Sequence, residues 1–202
     1  MVNGSRKTFE DQIKVAFQSG YTNAATSFSM MANGKFSFHN FHYSLHKING
    51  QIIPELGTAN LHTPTRMVTT ELFGEVSGKS YLFFSQHDFD LLTQGIKHQE
   101  NSGINLKEEY IKELDNILSA AVITKLSNEL KVKMYGDIPI LTKVSDTIDT
   151  IIHQDFNEQA DEIYISSTSF SSANHAGISP LFIWVVDCKI LDAMESKSTI
   201  MK

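Results

Sequence analysis

Thr26, Phe28 and Ser29 are matched by Thr124, Leu126 and Ser127, 98 residues further along this 202-residue chain. Leu82-Phe83-Phe84, Asp88 and Leu92 are matched in turn by Leu181-Phe182-Ile183, Asp187 and Leu191, at a spacing of 99. A one-residue slip in a loop accounts for the change of spacing. A period near 100 residues is too long for a solenoid unit. It predicts instead one domain over residues 1–202, built from two pseudo-repeats of about 9–97 and 105–196. Each half must then supply the same elements in the same order, and both must bury them in one core.

The hydrophobic pattern supplies those elements. Ile13, Ala16, Phe17, Ala24, Phe28 and Met31 recur at helical spacing, so a helix is predicted over about 9–31. Gly20 weakens its middle, and Asn33-Gly34 suits its end. Residues 36–45 read as a strand, Asn49-Gly50 as a turn, and 68–76 with 79–85 as a hairpin punctuated by Gly74 and Gly78. A short helix follows over 89–96. In the second half Leu106, Tyr110, Leu114, Ile117, Leu118, Ala121, Val122, Leu126 and Leu130 form the apolar stripe of a long helix. Asn105 is its expected N-cap, with Glu108 completing a capping box. A strand at 138–144, an acidic connection, strands at 162–170 and 180–186, and a helix near 189–195 complete the set. The predicted class is α+β.

Several function classes are disfavoured. A net charge of −6 with no basic cluster argues against nucleic-acid binding. Cys188 is the one cysteine, so neither an intramolecular disulfide nor a Cys-rich zinc site is expected. The longest apolar run, Leu181 to Val186, is too short to span a bilayer, and the amino-terminal residues lack the apolar core of a secretory signal. A cytoplasmic chain without membrane insertion is expected. His39, His42 and His46 fall in one predicted strand, where alternation separates His39 from the other two. No metal site is expected there, and Cys188 reads as a structural thiol. Gly74 and Gly78 lack the Lys-Ser/Thr ending of a phosphate loop.

Glu113 and Asn116, three residues apart on the predicted second-half helix, share a face. Pro139 follows Asn116 by 23 positions. By spacing alone, Glu113 with Glu109 and Lys112 is more commonly the solvated face of a surface helix. With the proline and the repeat, the pair resembles the signature helix of the CheC/CheX/FliY family of CheY-P phosphatases, the CheC-like superfamily. Asn23-Ala-Ala-Thr26-Ser-Phe-Ser29 resembles the matching first-half helix of that family, and Phe73-Gly74 to Gly78 its glycine-marked hairpin. The resemblance runs from about Phe9 to Met194.

That resemblance implies a CheC-like fold: a mostly antiparallel sheet with two long helices packed on one face. It implies hydrolysis of the phospho-aspartate of a CheY-type response regulator, in chemotaxis or two-component signalling. Asn116 would orient the water, Glu113 would pair with the receiver's lysine, and Glu109 and Pro139 would support docking. No cofactor of the chain's own is implied, since Mg²⁺ travels with the phosphorylated receiver. A CheD-type protein is a second implied partner, and a non-catalytic module binding a receiver or CheD-type partner is the competing function. Both homodimers and monomers fit the family. Two departures stand out. The family places Asp or Ser where this chain has Glu109. Ninety-eight residues before Glu113, Asn116 and Pro139 stand Val15, Gln18 and Phe41, so a single site per chain is expected.

Overall fold

The structure, a computed structural model, describes residues 2–31, 34–47, 65–96, 105–156, 162–173 and 177–200. The turn expected at Asn49-Gly50 lies outside these residues. The first half comprises α1 (Val2–Met31), β1 (Phe36–Lys47), β2 (Arg66–Gly74), β3 (Gly78–Phe84) and α2 (Gln86–Leu92). The second comprises α3 (Leu106–Leu130), β4 (Met134–Gly136), β5 (Ile140–Lys143), α4 (Ile148–Phe156), β6 (Glu162–Ser172), β7 (Leu181–Asp187) and α5 (Ile190–Ile200).

The seven strands form one antiparallel sheet in the order β1-β6-β7-β3-β2-β4, with β5 also pairing β2. The two hairpin strands β3 and β7 meet at its centre, pairing Ser80 with Trp184. Their alternation divides two cores. Leu82, Phe84, Phe182, Trp184 and Val186 join the buried stripes of α1 and α3 and the start of α5. Tyr81, Phe83, Leu181, Ile183 and Val185 point the other way, onto α4. Strands buried on both faces are apolar throughout, as Leu-Phe-Ile-Trp-Val-Val at 181–186 shows.

The structure departs from the sequence expectations at several points. Gly20 does not weaken α1 idly: a Cβ there would stand 3.1 Å from Val122 Cγ1 and 3.3 Å from its Cα. The glycine lets the two long helices approach closely. Helix α1 also starts earlier than predicted. Arg6 in its second turn bonds both Glu10 and, at 2.9 Å, Glu162 at the start of β6. The acidic connection is in fact helix α4, whose Ile148, Ile152 and Phe156 at i, i+4 and i+8 cover the second face. Asn105 is the N-cap of α3, but its side chain makes no capping bond, so the expected capping box is absent. The strand expected at 138–144 is the shorter β5, and an unpredicted strand, β4, precedes it across the break at 137–139.

Candidate functional site

Glu109, Lys112, Glu113 and Asn116 stand at i, i+3, i+4 and i+7 of α3, one continuous face. Gly136, Asp137, Ile138 and Pro139 face them across a groove of about 360 Å³. The break between β4 and β5 therefore forms the wall opposite the candidate pair. Three features fix that wall. Lys131 ends α3 in the left-handed conformation, φ 58°. Glu75 on the β2–β3 turn then holds the returning chain, its N–H donating to Lys133 O at 2.8 Å and its Oε2 accepting from Lys133 N at 2.6 Å. Beyond β4, Asp137 N–H donates to Glu71 O at 2.9 Å, and Asp137 Oδ1 accepts from Ile138 N–H at 2.7 Å.

Gly136 sets how near the wall comes to the helix. A Cβ there would lie 2.9 Å from Ile123 Cδ1 and 3.2 Å from Thr70 Cγ2. The nearer atom is the end of the flexible Ile123 side chain, so a small side chain here needs Ile123 to turn aside and a large one must press against both α3 and β2. Pro139 is buried immediately before β5. Lacking an N–H, a proline is tolerated at a strand start or sheet edge, and here it keeps β4 and β5 from running together.

The four sequence-predicted residues thus surround one groove, with unequal environments. Glu109 is paired with Lys112 at 2.5 Å, which neutralises the acid that departs from the family pattern. Glu113 and Asn116 are exposed and have no hydrogen-bond or ion partner among the described residues. A carboxylate free of internal bonds is available to an incoming cation, and a free carboxamide offers both a donor and an acceptor. Ile138 is 78% exposed on the facing wall.

The sequence reading passed over two features beside the pair. A larger cavity of about 710 Å³ begins at Asn116, Gly136 and Asp137 and runs along α3 past Ile123 to Lys131 and Lys133. Beneath it lies Asp115, fully buried, with Oδ2 accepting from Thr70 Oγ1 at 2.7 Å and Ser119 Oγ at 3.4 Å. Burial pushes its carboxyl up to about 7, while the two hydroxyls pull it back. A signal was present: Ile111, Asp115, Leu118 and Val122 share one apolar stripe, so an acid at 115 had to be buried.

The remaining candidates are quiet. Among the described residues no group of three or more His, Cys, Asp or Glu is placed to hold a metal ion. Cys188 is half-buried in the turn after β7, and burial, then Asp187, push its thiol upward. No described helix is long and apolar enough to cross a membrane.

No family model matches the sequence, and no curated protein matches it. The likeness is structural. FliY of Thermotoga maritima superposes over 96% of both chains with a TM-score of 0.61 at 14% identity. The fold is CheC-like. The middle domain of FliM from Vibrio alginolyticus matches over 92% of this chain and 98% of its own, at a TM-score of 0.54 and 11% identity. CheX of Borrelia burgdorferi, solved in complex with CheY, BeF3 and Mg²⁺, matches over 85% of this chain and 97% of its own, at a TM-score of 0.51 and 10% identity. The CheC-like fold bears out the α+β class and the two long helices on one face of an antiparallel sheet. It is shared by CheX, FliY and FliM, so by itself it does not choose between catalysis and docking.

Proposed function

We propose that the chain is a CheC/CheX-like phosphatase that hydrolyses the phospho-aspartate of a CheY-type receiver in the cytoplasm. The observation that carries this is the unpartnered Glu113 and Asn116 side by side on an exposed groove. The crystallised assembly of a CheX with CheY and BeF3 supports a receiver as the partner.

Phosphoryl transfer is largely positioning and electrostatics, so a helix face can suffice. Glu113 forms an ion pair with the receiver's lysine and anchors α3 over the phosphoryl group. Asn116 holds a water in line with the acyl phosphate through its carboxamide. The water oxygen attacks phosphorus, the P–O bond to the aspartyl carboxyl breaks, and its electron pair stays on the carboxylate. Inorganic phosphate and free aspartate result. Mg²⁺ belongs to the receiver as part of the substrate. Pro139 keeps the facing wall open, and the Lys112 pairing keeps Glu109 from competing with Glu113 for the receiver's lysine.

A panel of receivers charged with acetyl phosphate tests this through the rate of phosphate release. The wild-type chain accelerates release from its receiver. Asn116→Ala abolishes the acceleration and still binds; Glu113→Lys loses binding by charge reversal. Full activity in Asn116→Ala would refute the mechanism. Binding of the phosphorylated receiver without any acceleration would instead make the chain a non-catalytic receiver-binding module. Failure with every receiver and capture of a CheD-type protein would favour the other binding role.

A further inference from the structure

Asp115 and Asn116 are neighbours in sequence but project to different sides of α3. Asp115 turns into the core, and its Oδ1 has no hydrogen-bond partner among the described residues. A second buried acid shows what satisfaction looks like in this chain. Asp88 accepts from Ser179 N at 2.9 Å on Oδ1, and on Oδ2 from Ser85 N at 2.9 Å and Ser85 Oγ at 2.6 Å. A buried polar oxygen left without a donor is costly, and far more so when it is charged.

The bonds Asp115 does make link the two walls of the groove. Thr70, its nearest donor, belongs to β2. That strand pairs Leu72 with Gly136 and receives Asp137 N–H on Glu71 O. A polar ladder continues inward, since Ser119 Oγ lies 3.1 Å from Ser80 Oγ on β3. Thr70 and Ser119 also line the cavity that begins at Asn116. The residue preceding Asn116 is therefore tied directly to the strand that carries the opposing wall.

We propose that Asp115 is a positioning residue for the Glu113/Asn116 groove, clamping α3 to β2 through Thr70 and tightening that clamp when it ionises. The inference rests on the groove being the working site. A charge on Oδ1 has no donor to meet it. The charge is met on Oδ2 alone, so it draws Thr70 and Ser119 closer, and that shifts Asn116 against the facing wall. Burial is the dominant influence on its titration, opposed by the hydroxyls of Thr70 and Ser119. Among the described residues, no lysine, arginine, histidine or second carboxylate acts on it from α1, α3, β2 or β3. The charged groups of the groove itself are Glu109, Lys112, Glu113 and Asp137.

The test is a pH titration of the full chain from pH 5 to 9, following the Asp115 carboxyl carbon and the Asn116 side-chain amide by NMR. Both signals are expected to move with one common midpoint near 7. Asp115→Asn removes that step from the Asn116 amide. Thr70→Val moves the midpoint upward, because the hydroxyl that favours the charged form is gone. Phosphate release from a charged receiver changes through the same midpoint in the wild type and is flat in Asp115→Asn. An Asn116 step that persists in Asp115→Asn overturns the proposal, as does an Asp115 carboxyl already charged at pH 5. Should Asp115→Asn fail to fold, the Thr70→Val shift decides alone, and an unmoved midpoint overturns the clamp. A titration as expected with no release from any receiver upholds the clamp and rejects the phosphatase role.

Discussion

The groove between α3 and β4 has a counterpart between α1 and β1, lined by Thr22, Ala25, Thr26, Ser29, Met30, Phe36, Ser37, Phe38 and Phe41. Most of these stand 98 residues before a lining residue of the second-half site: Ala25 before Ile123, Thr26 before Thr124, Ser29 before Ser127. Yet the two troughs differ where chemistry is expected. Where the second half has Ser119, Gly136 and Pro139, the first has Tyr21, Phe38 and Phe41. Tyr21 stacks on Phe41 at 5.7 Å and packs against Phe38 at 5.6 Å. Its hydroxyl donates to Ser166 Oγ at 2.8 Å. Where Asp115 stands in one half, buried Phe17 packs against Trp184 in the other. Aromatic rings bury large areas and add stabilising edge and stacking contacts. One half fills these positions with aromatic rings, Tyr21 and Phe17 in the core and Phe38 and Phe41 lining a pocket of about 540 Å³, while the other leaves them small or polar, and only the latter sets its groove beside an acid and an amide.

The hardest test of that contrast is to give the second half the first half's side chain. Gly136→Phe places a ring where Phe38 stands, against Ile123 and Thr70. Misplacing catalytic groups by about 1 Å costs on the order of 100-fold in rate. Receiver-dependent phosphate release is expected to fall by at least about that factor. Overpacking of this kind typically costs about 1–3 kcal/mol, readable as a lower midpoint in urea unfolding. Normal release from a folded Gly136→Phe would mean that the groove is not where the chemistry occurs.

The second difference, Asp115 against Phe17, predicts an unusual stability profile. The folded carboxyl is raised to about 7, above its ordinary 3.8. Below about pH 4 both folded and unfolded forms are protonated. Between about pH 4 and 7 the unfolded chain loses the proton that the folded chain retains, so stability falls with rising pH and levels off above 7. At 1.36 kcal/mol per pKa unit, the full loss is roughly 4 kcal/mol. Denaturant unfolding at pH 5 and pH 8 should therefore show wild type losing ground relative to Asp115→Asn over that interval. Parallel behaviour of the two chains would mean that Asp115 is charged in the fold throughout.

Much of this arrangement was legible in the sequence because it follows periodicity. The stripe from Leu106 to Leu130 marks α3, and the apolar run at Leu181 to Val186 reads as a strand, though its burial on both faces shows only in the fold. Glu113 and Asn116 were legible because two polar residues at i and i+3 must share a face. Less visible was what depends on close approach between elements. Gly20 and Gly136 look like weaknesses along the chain, and become contacts only when Val122 and Ile123 arrive from another element. Helix α4 was hidden by its Asp and Thr residues, although Ile148, Ile152 and Phe156 carry the i, i+4, i+8 pattern of a short buried face. The split of β4 from β5 follows from Asp137 and Pro139 acting together, the one capping Ile138 N–H and the other withholding its own. The polar bond from Asp115 to Thr70 spans 45 residues, and no local pattern encodes it.

The smallest expected effect comes from the reverse exchange. Val15, 59% exposed, and exposed Gln18 occupy the places of Glu113 and Asn116 on α1. Val15→Glu with Gln18→Asn recreates the acid and amide on a solvent-facing helix at little cost, since surface substitutions usually stay within about 0.5 kcal/mol. In an Asn116→Ala background this double change is expected to restore no phosphate release, because the rings of Phe41 and Phe38 still form the wall beside it. Adding Phe38→Gly and Phe41→Pro would then separate two explanations of the contrast. Release that returns only with the opened wall shows that the groove, and not the residue pair, is what the first half lacks. Release that returns with Val15→Glu and Gln18→Asn alone shows that the aromatic filling is incidental, and that two side chains on a helix are enough.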